Sequence, residues 1–379
     1  MKKYDDSVVA KVAASERTTT AFGVTVHLKD SPERPAAGHL DPYEVAIRSA
    51  NWAAPEDKKD DAAAEKPAGN PFENMPIEHL VGFMREMMGF ANLNLNETQM
   101  IIKYEELELD GRKVGLWRYY KRKGKKEPKS CLVYIHGGGW IGGDVYTVEN
   151  PCRLIAELAD AVVFNVDYGL APESPFPGGM MDCYNAVKHI YEHAEEYGID
   201  KNKISVAGDS AGGNLTAAVS MKARDEGIPM VAQQIMLYPA VTFGRLMAEG
   251  YEWKAEEYEV APGQEAAIQG CLMLGQPSDL ENGFEGKCYF TDLKDAESPY
   301  ASPMMAESHA GLPKAIILTA EYDGLRLQGE FYGKQLMDAG VDTTIYRYEG
   351  LTHAFLDRLG FLPQTEEVCQ LIARALNEV

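Results

Sequence analysis

From residue 99 onward, short apolar runs alternate with amphipathic stretches, many of ten residues or more. Eight runs read as strands: 100–108, 113–120, 130–135, 161–167, 203–207, 232–238, 314–319 and 342–348. Two segments within them, Ala161-Val-Val-Phe164 and Ala315-Ile-Ile-Leu318, are apolar throughout, as strands covered on both faces are. Helical patterns separate most of the later runs, for example 211–226, closed by Gly227, and 327–339, closed by Gly340. Strands joined by right-handed helical crossovers predict an α/β fold with a mostly parallel eight-stranded sheet flanked by helices. In such sheets reactive groups gather at the carboxyl ends of the strands. No internal repeat suggests another architecture.

Residues 1–98 follow a different pattern. They include a charged, alanine-rich run from Pro55 to Pro67, which reads as an exposed loop or linker. Beyond it, Leu80, Phe83, Met84 and Met87 fall at helical spacing. Such a stripe ordinarily packs into a core, although flexible methionines also suit the wall of an acyl pocket. A second irregular stretch, 240–297, mixes helical signals with Gly and Pro and is too long for a simple connection, so it reads as a lid. The expected organisation is thus an N-terminal segment 1–98 with a charged loop near 55–67, a catalytic domain 99–379, and an insertion at 240–297 within it.

Composition narrows the class. With 379 residues, 45% hydrophobic and 25% charged, the chain can bury a core larger than that of one domain of about 100–200 residues. No run approaches the roughly 18 apolar residues of a membrane helix. The start, MKKYDDSVVAKVAASE, lacks the apolar stretch of an export signal, and six scattered cysteines show no metal or redox spacing. Both point to a cytoplasmic protein with reduced thiols. Lys and Arg number 37 against 58 Asp and Glu, a net charge of −21, which disfavours nucleic acid and anionic lipid as partners. The basic island from Arg118 to Lys129, with Gly124 and Pro128, reads as a solvated hairpin tip.

Several predicted strands end in residues able to do chemistry. The third runs into His136-Gly-Gly-Gly-Trp140, the fifth into Gly208-Asp-Ser-Ala-Gly212, the seventh into Ala320-Glu-Tyr-Asp323 and the eighth into Gly350-Leu-Thr-His353. A hydroxyl, a carboxylate and an imidazole thus emerge on one sheet edge in the order Ser, Asp, His. Ser210 sits on a strand-to-helix turn that needs small neighbours, supplied by Gly208 and Gly212. The plainer reading, that Ser210 only caps the helix after it, leaves the other motifs without a purpose. The Ala211 amide at the helix start, with those of Gly138 and Gly139, can hold an oxyanion. His136 reads as a structural support of that loop, and Trp140 as pocket wall. Asp323 follows its strand directly and is preferred to Glu321 as the triad acid. His189 and His193, at i, i+4, read as surface residues with no carboxylate spaced to complete a metal site.

These residues resemble the hormone-sensitive-lipase-like branch of the α/β-hydrolases, which includes many bacterial carboxylesterases. The matching stretches are His136–Trp140, Asp167-Tyr-Gly-Leu-Ala-Pro-Glu173, Gly208-Asp-Ser-Ala-Gly-Gly-Asn214, Leu237-Tyr-Pro239, Ser298–Pro303, Thr319–Asp323 with Leu325-Arg326, and Gly350–Phe355. They span about residues 100–379 in the family's order. The resemblance implies an α/β-hydrolase fold and a serine ester hydrolase with a cap built from the N-terminal helices and residues 240–297. Gly169 stands where the family usually carries arginine, which implies a looser loop beside the site.

The expected chemistry is two-step acyl transfer at Ser210, with His353 as base, Asp323 orienting it, and the amides of Gly138, Gly139 and Ala211 on the oxyanion. It needs no metal or cofactor. The expected substrate is a small-molecule ester with a short acyl chain, and the resemblance is compatible with a homodimer. An amidase or peptidase would use the same groups. A non-catalytic ligand-binding protein on this fold is the alternative from another class, and the presence of all three triad residues argues against it.

Overall fold

The apolar runs read as strands all form strands in the computed structural model, which describes residues 1–52, 76–124 and 127–379. In chain order the strands are β1 (Thr18–Ala21), β2 (Val24–Lys29), β3 (Met100–Leu109), β4 (Arg112–Lys121), β5 (Lys129–Ile135), β6 (Val162–Asp167), β7 (Ile199–Asp209), β8 (Gln233–Leu237), β9 (Lys314–Tyr322) and β10 (Thr343–Thr352). They make one sheet in the order β1-β2-β10-β9-β8-β7-β5-β6-β4-β3. Every pairing from β2 through β10, β9, β8, β7 and β5 to β6 is parallel, and β1, β4 and β3 are antiparallel edges. Burial explains the central order: all of β8 and Cys131–Ile135 of β5 are buried, so only helices on both faces can shield them.

Those helices divide the core. Gly178–Glu192 and Ala211–Asp225 cover one face, and Glu149–Ala159 and Pro363–Asn377 the other. Arg326–Asp338 packs on β9 and β10.

The sheet corrects three expectations. It has ten strands rather than eight, because residues 18–29 form a hairpin whose second strand pairs with β10 (His27 opposite Tyr346). The first part of 1–98 therefore extends the sheet, and the helix Asp6–Ala13 packs on Pro363–Asn377, away from any cap. The basic island is not a hairpin tip, since β6 lies between β4 and β5. Within it, the Arg118 guanidinium stacks 4.9 Å from the Tyr197 ring instead of standing in solvent. The charged run 55–67 lies outside the described residues.

The methionine stripe divides between the core and pocket-wall readings, since Met84 packs against the core while also bordering a cavity. Its helix, Ile77–Met87, buries only Val81, whereas Met84, Met87 and the following Met88 border a cavity that reaches Ser210. Residues 240–297 contain only short helical pieces, such as Glu265–Gln269 and Phe284–Cys288. They are fastened to the end of β9: Tyr258 Oη donates to the Asp323 carbonyl (2.9 Å) and Trp253 Nε1 to that of Gly324 (3.0 Å). Gly324 is obligatory there, as a Cβ would stand 1.7 Å from the Leu274 carbonyl oxygen.

Candidate active site

The carboxyl ends of β5, β7, β9 and β10 bring the reactive groups together. Ser210 follows β7 at φ +54, ψ −117, a conformation a non-glycine residue holds only under constraint. The constraint is packing. A Cβ at Gly208 would lie 2.3 Å from the Gly212 carbonyl oxygen, and one at Gly212 would lie 2.0 Å from that of Ile135. The turn closes only with glycine at both places. Ser210 makes no side-chain capping bond to its helix. Its Oγ instead donates to His353 Nε2 (2.9 Å), and His353 Nδ1 donates to Asp323 Oδ2 (2.7 Å). Asp323 is fully buried, and its second oxygen accepts the Leu325 N–H (2.9 Å), which fixes the carboxylate plane. Glu321, the other acid near the end of β9, is committed to Arg34 and the Gly350 N–H.

The Gly138, Gly139 and Ala211 amides are those of the predicted oxyanion hole, and none donates to a protein acceptor among the described residues. Gly138 and Gly139 have φ of +124 and +59, and a Cβ on Gly138 would meet the Gly142 carbonyl oxygen at 2.0 Å. Asp209, given no role in the sequence reading, anchors this loop. Its Oδ1 accepts from the Gly137 N–H and from Tyr134 Oη, both at 3.0 Å. Burial pushes its carboxyl up to about 6. His136 is buried and stacks on Tyr168 (4.5 Å), and its Nδ1 lies 2.8 Å from the Gly137 carbonyl, a supporting role. Trp140 packs on Phe243 and Tyr289 and borders the smaller of two cavities at Ser210.

Burial disfavours a charged His353, but the Asp323 carboxylate beside it outweighs that, so its pKa lies above the ordinary 6.5. A general base works only when neutral, so with His353 in that role activity is expected to fall as pH drops through this raised value. A profile of kcat/KM against pH on a short ester should therefore show its acid limb above 6.5. A limb below 6.5, or no limb, would contradict the assigned base.

Two supports were not legible in sequence. The His353 loop is held by Arg358, which reaches the His353 carbonyl (3.4 Å) and pairs with the fully buried Glu44 of helix Pro42–Trp52. Beside Gly169, the loop is not loose as implied. Arg112 of β4 puts its guanidinium where a residue-169 side chain would begin, 2.8 Å from such a Cβ. It binds Asp182 through two bonds (2.5 and 2.8 Å), and Asp182 in turn accepts the Gly169 N–H (3.0 Å). His189 and His193 stack on each other (4.0 Å) on the helix Gly178–Glu192 and its C-cap, and both are half-buried rather than surface residues.

A model of the alpha/beta hydrolase fold matches residues 132–357. Among curated proteins, the arylesterase of Saccharolobus solfataricus is 36% identical over 280 residues, which cover 74% of this chain and 82% of that protein. Esterase LipI of Mycobacterium tuberculosis is 35% identical over 62% of this chain and 68% of its own. Among solved structures, a hyperthermophilic esterase from the archaeon Pyrobaculum calidifontis aligns at 32% identity and TM-score 0.65, covering 81% of this chain and 92% of that one. An arylesterase structure aligns at 29% identity and TM-score 0.68 over 89% and 98%. The matched stretch covers more than half of the sequence and encloses the oxyanion loop, Ser210, Asp323 and His353. The chain belongs to the alpha/beta hydrolase fold family, in its hormone-sensitive-lipase-like branch.

Proposed function

We propose that this chain is a serine carboxylesterase acting on small esters with short acyl chains. The observation that carries the reading is the unbroken hydrogen-bond chain from Ser210 through His353 to Asp323. In the first step His353 Nε2 takes the Ser210 proton as Oγ attacks the ester carbonyl. The oxyanion is received by the amides of Gly138, Gly139 and Ala211. His353 then gives its proton to the departing alcohol, leaving an acyl-serine. Water, deprotonated by His353, attacks the acyl carbon, and Ser210 leaves with the proton restored. The cycle consumes ester and water and returns acid and alcohol.

The size of the site supports the short-chain reading. The cavities meeting at Ser210 are about 110 and 390 Å³, and the smaller is bounded by Trp140 and Phe243. A relative from Pseudomonas putida, 28% identical over 66% of this chain, is named ethyl acetate hydrolase. The test is hydrolysis of p-nitrophenyl acetate, butyrate, octanoate and palmitate, with a phosphorylating p-nitrophenyl ester as a mass-spectrometric label. The expected result is fast turnover of the two shortest esters, little of palmitate, and the label on Ser210. A preference for palmitate would overturn the size reading, and a label placed elsewhere would overturn the mechanism.

A further inference from the structure

The two cavities share four bordering residues: Gly139, Ser210, Leu274 and Glu285. Ser210 is the nucleophile and Gly139 an oxyanion donor, so an ester held between them reacts at this junction. Glu285 then borders whichever cavity receives the acyl group. It lies in the short helix Phe284–Cys288 of the insertion, and its backbone carbonyl accepts the Tyr289 N–H (2.8 Å), which fixes its position. Among the described residues, its carboxylate has no hydrogen-bond or ion-pair partner, unlike the buried acids Asp323, Glu44 and Asp209.

Apart from His353, the described ionisable side chains that line the two cavities are acidic, while Lys287 lies two residues along the same helix as Glu285. Among the described residues, no lysine or arginine borders either cavity. The nearby guanidinium groups are spent elsewhere: Arg85 on Glu173 and the Ile141 carbonyl, Arg358 on Glu44. A second acid, Asp357, borders the larger cavity while only 5% exposed. Burial, with the Asp209 carboxylate beside it, pushes its pKa well above the ordinary carboxylate value, so it adds a polar group rather than a second full charge. Its Oδ1 has no hydrogen-bond partner among the described residues. A buried polar atom without a partner, next to a cavity, is a group that a bound donor would satisfy. Burying a carboxylate-bearing substrate here would bring like charges together, whereas an ammonium group would find an unpaired carboxylate in a partly dry site.

From this placement we infer that Glu285 selects esters carrying a positive charge close to the ester carbonyl, such as ammonio-acyl esters, and disfavours those with a carboxylate there. The inference rests on ester hydrolysis at Ser210. Because the charge sits near the reacting carbon, the selection shows in kcat/KM rather than only in KM. The net charge of −21 adds long-range attraction for cationic substrates, but that part does not depend on residue 285.

Three esters of similar shape test it: betaine ethyl ester, ethyl tert-butylacetate and monoethyl malonate, which carry a trimethylammonium, a neutral and a carboxylate group next to the same CH2–CO–O–ethyl unit. Each is measured with wild type, Glu285→Gln and Glu285→Asp. In every protein the cationic and anionic rates are divided by the neutral one, so each ester's intrinsic reactivity cancels between variants. Glu285→Gln is expected to lower the cation-to-neutral ratio about tenfold, about 1.4 kcal/mol, and to raise the anion-to-neutral ratio. Glu285→Asp should keep most of the wild-type preference, and added salt should weaken it in the wild type. Equal ratios in wild type and Glu285→Gln, with the neutral ester turned over by both, would overturn the inference and leave the esterase intact. Absence of Ser210-dependent turnover of all three esters and of the p-nitrophenyl series would instead overturn the proposed function itself.

Discussion

Ser210→Ala is expected to lower kcat on p-nitrophenyl butyrate by about a millionfold, without unfolding the protein. The two halves of this expectation have separate grounds. The Ser210 hydroxyl donates to His353 Nε2 and caps no helix amide, so deleting it removes no bond that holds the turn. Alanine keeps the Cβ and meets the same positive φ of 54 that serine already tolerates, so backbone strain is unchanged. What disappears is the atom proposed to form the acyl-enzyme. The oxyanion amides remain, so the residual rate should reflect substrate binding and electrostatics alone, still about 10³–10⁴ above water. Steady-state kinetics on enzyme whose circular dichroism and Tm match wild type would check it. A folded variant within tenfold of the wild-type kcat would remove Ser210 from the mechanism.

The legible part of the molecule was the part governed by local sequence. Each central strand announces itself by an unbroken apolar run, and the glycines at 208, 212 and 138 are required by contacts within a few residues or with the adjoining strand. The preference for Asp323 over Glu321 was likewise available from sequence, and the geometry favours it, since Asp323 bonds His353 whereas Glu321 is taken by Arg34. What could not be read depends on distant partners. Residues 18–29 alternate as a strand pair should, with Phe22 and Gly23 at positive φ in the turn, but the edge they extend is more than 300 residues away. The same holds for Arg112, which reaches Gly169 across the sheet edge, and for Glu44 beneath the His353 loop. The methionine stripe had the right period, but helical spacing tells that one face is covered and not by what, and Met84 both packs on the core and borders a cavity. Here that face looks onto a cavity at Ser210.

Asp323→Asn is expected to cost about 10⁴-fold in kcat/KM at neutral pH, although the substitution is nearly isosteric. The reason lies in the second oxygen. Asp323 Oδ1 accepts the Leu325 N–H, and a side-chain amide can satisfy that donor only by turning its carbonyl oxygen toward it. The amide nitrogen then faces His353 Nδ1, where the carboxylate now accepts. Two donors cannot face each other, so His353 must give up the Nδ1 proton and carry its proton on Nε2. That tautomer cannot accept from Ser210, and the base is lost while the packing stays. Removing the carboxylate also leaves burial to act on the imidazole without its main opposing charge, so the acid limb of the pH profile should move downward from wild type. A structural role for Asp323 would lower Tm and leave that limb in place. A loss under tenfold, or an unmoved limb in a folded variant, would assign the orienting role to another group.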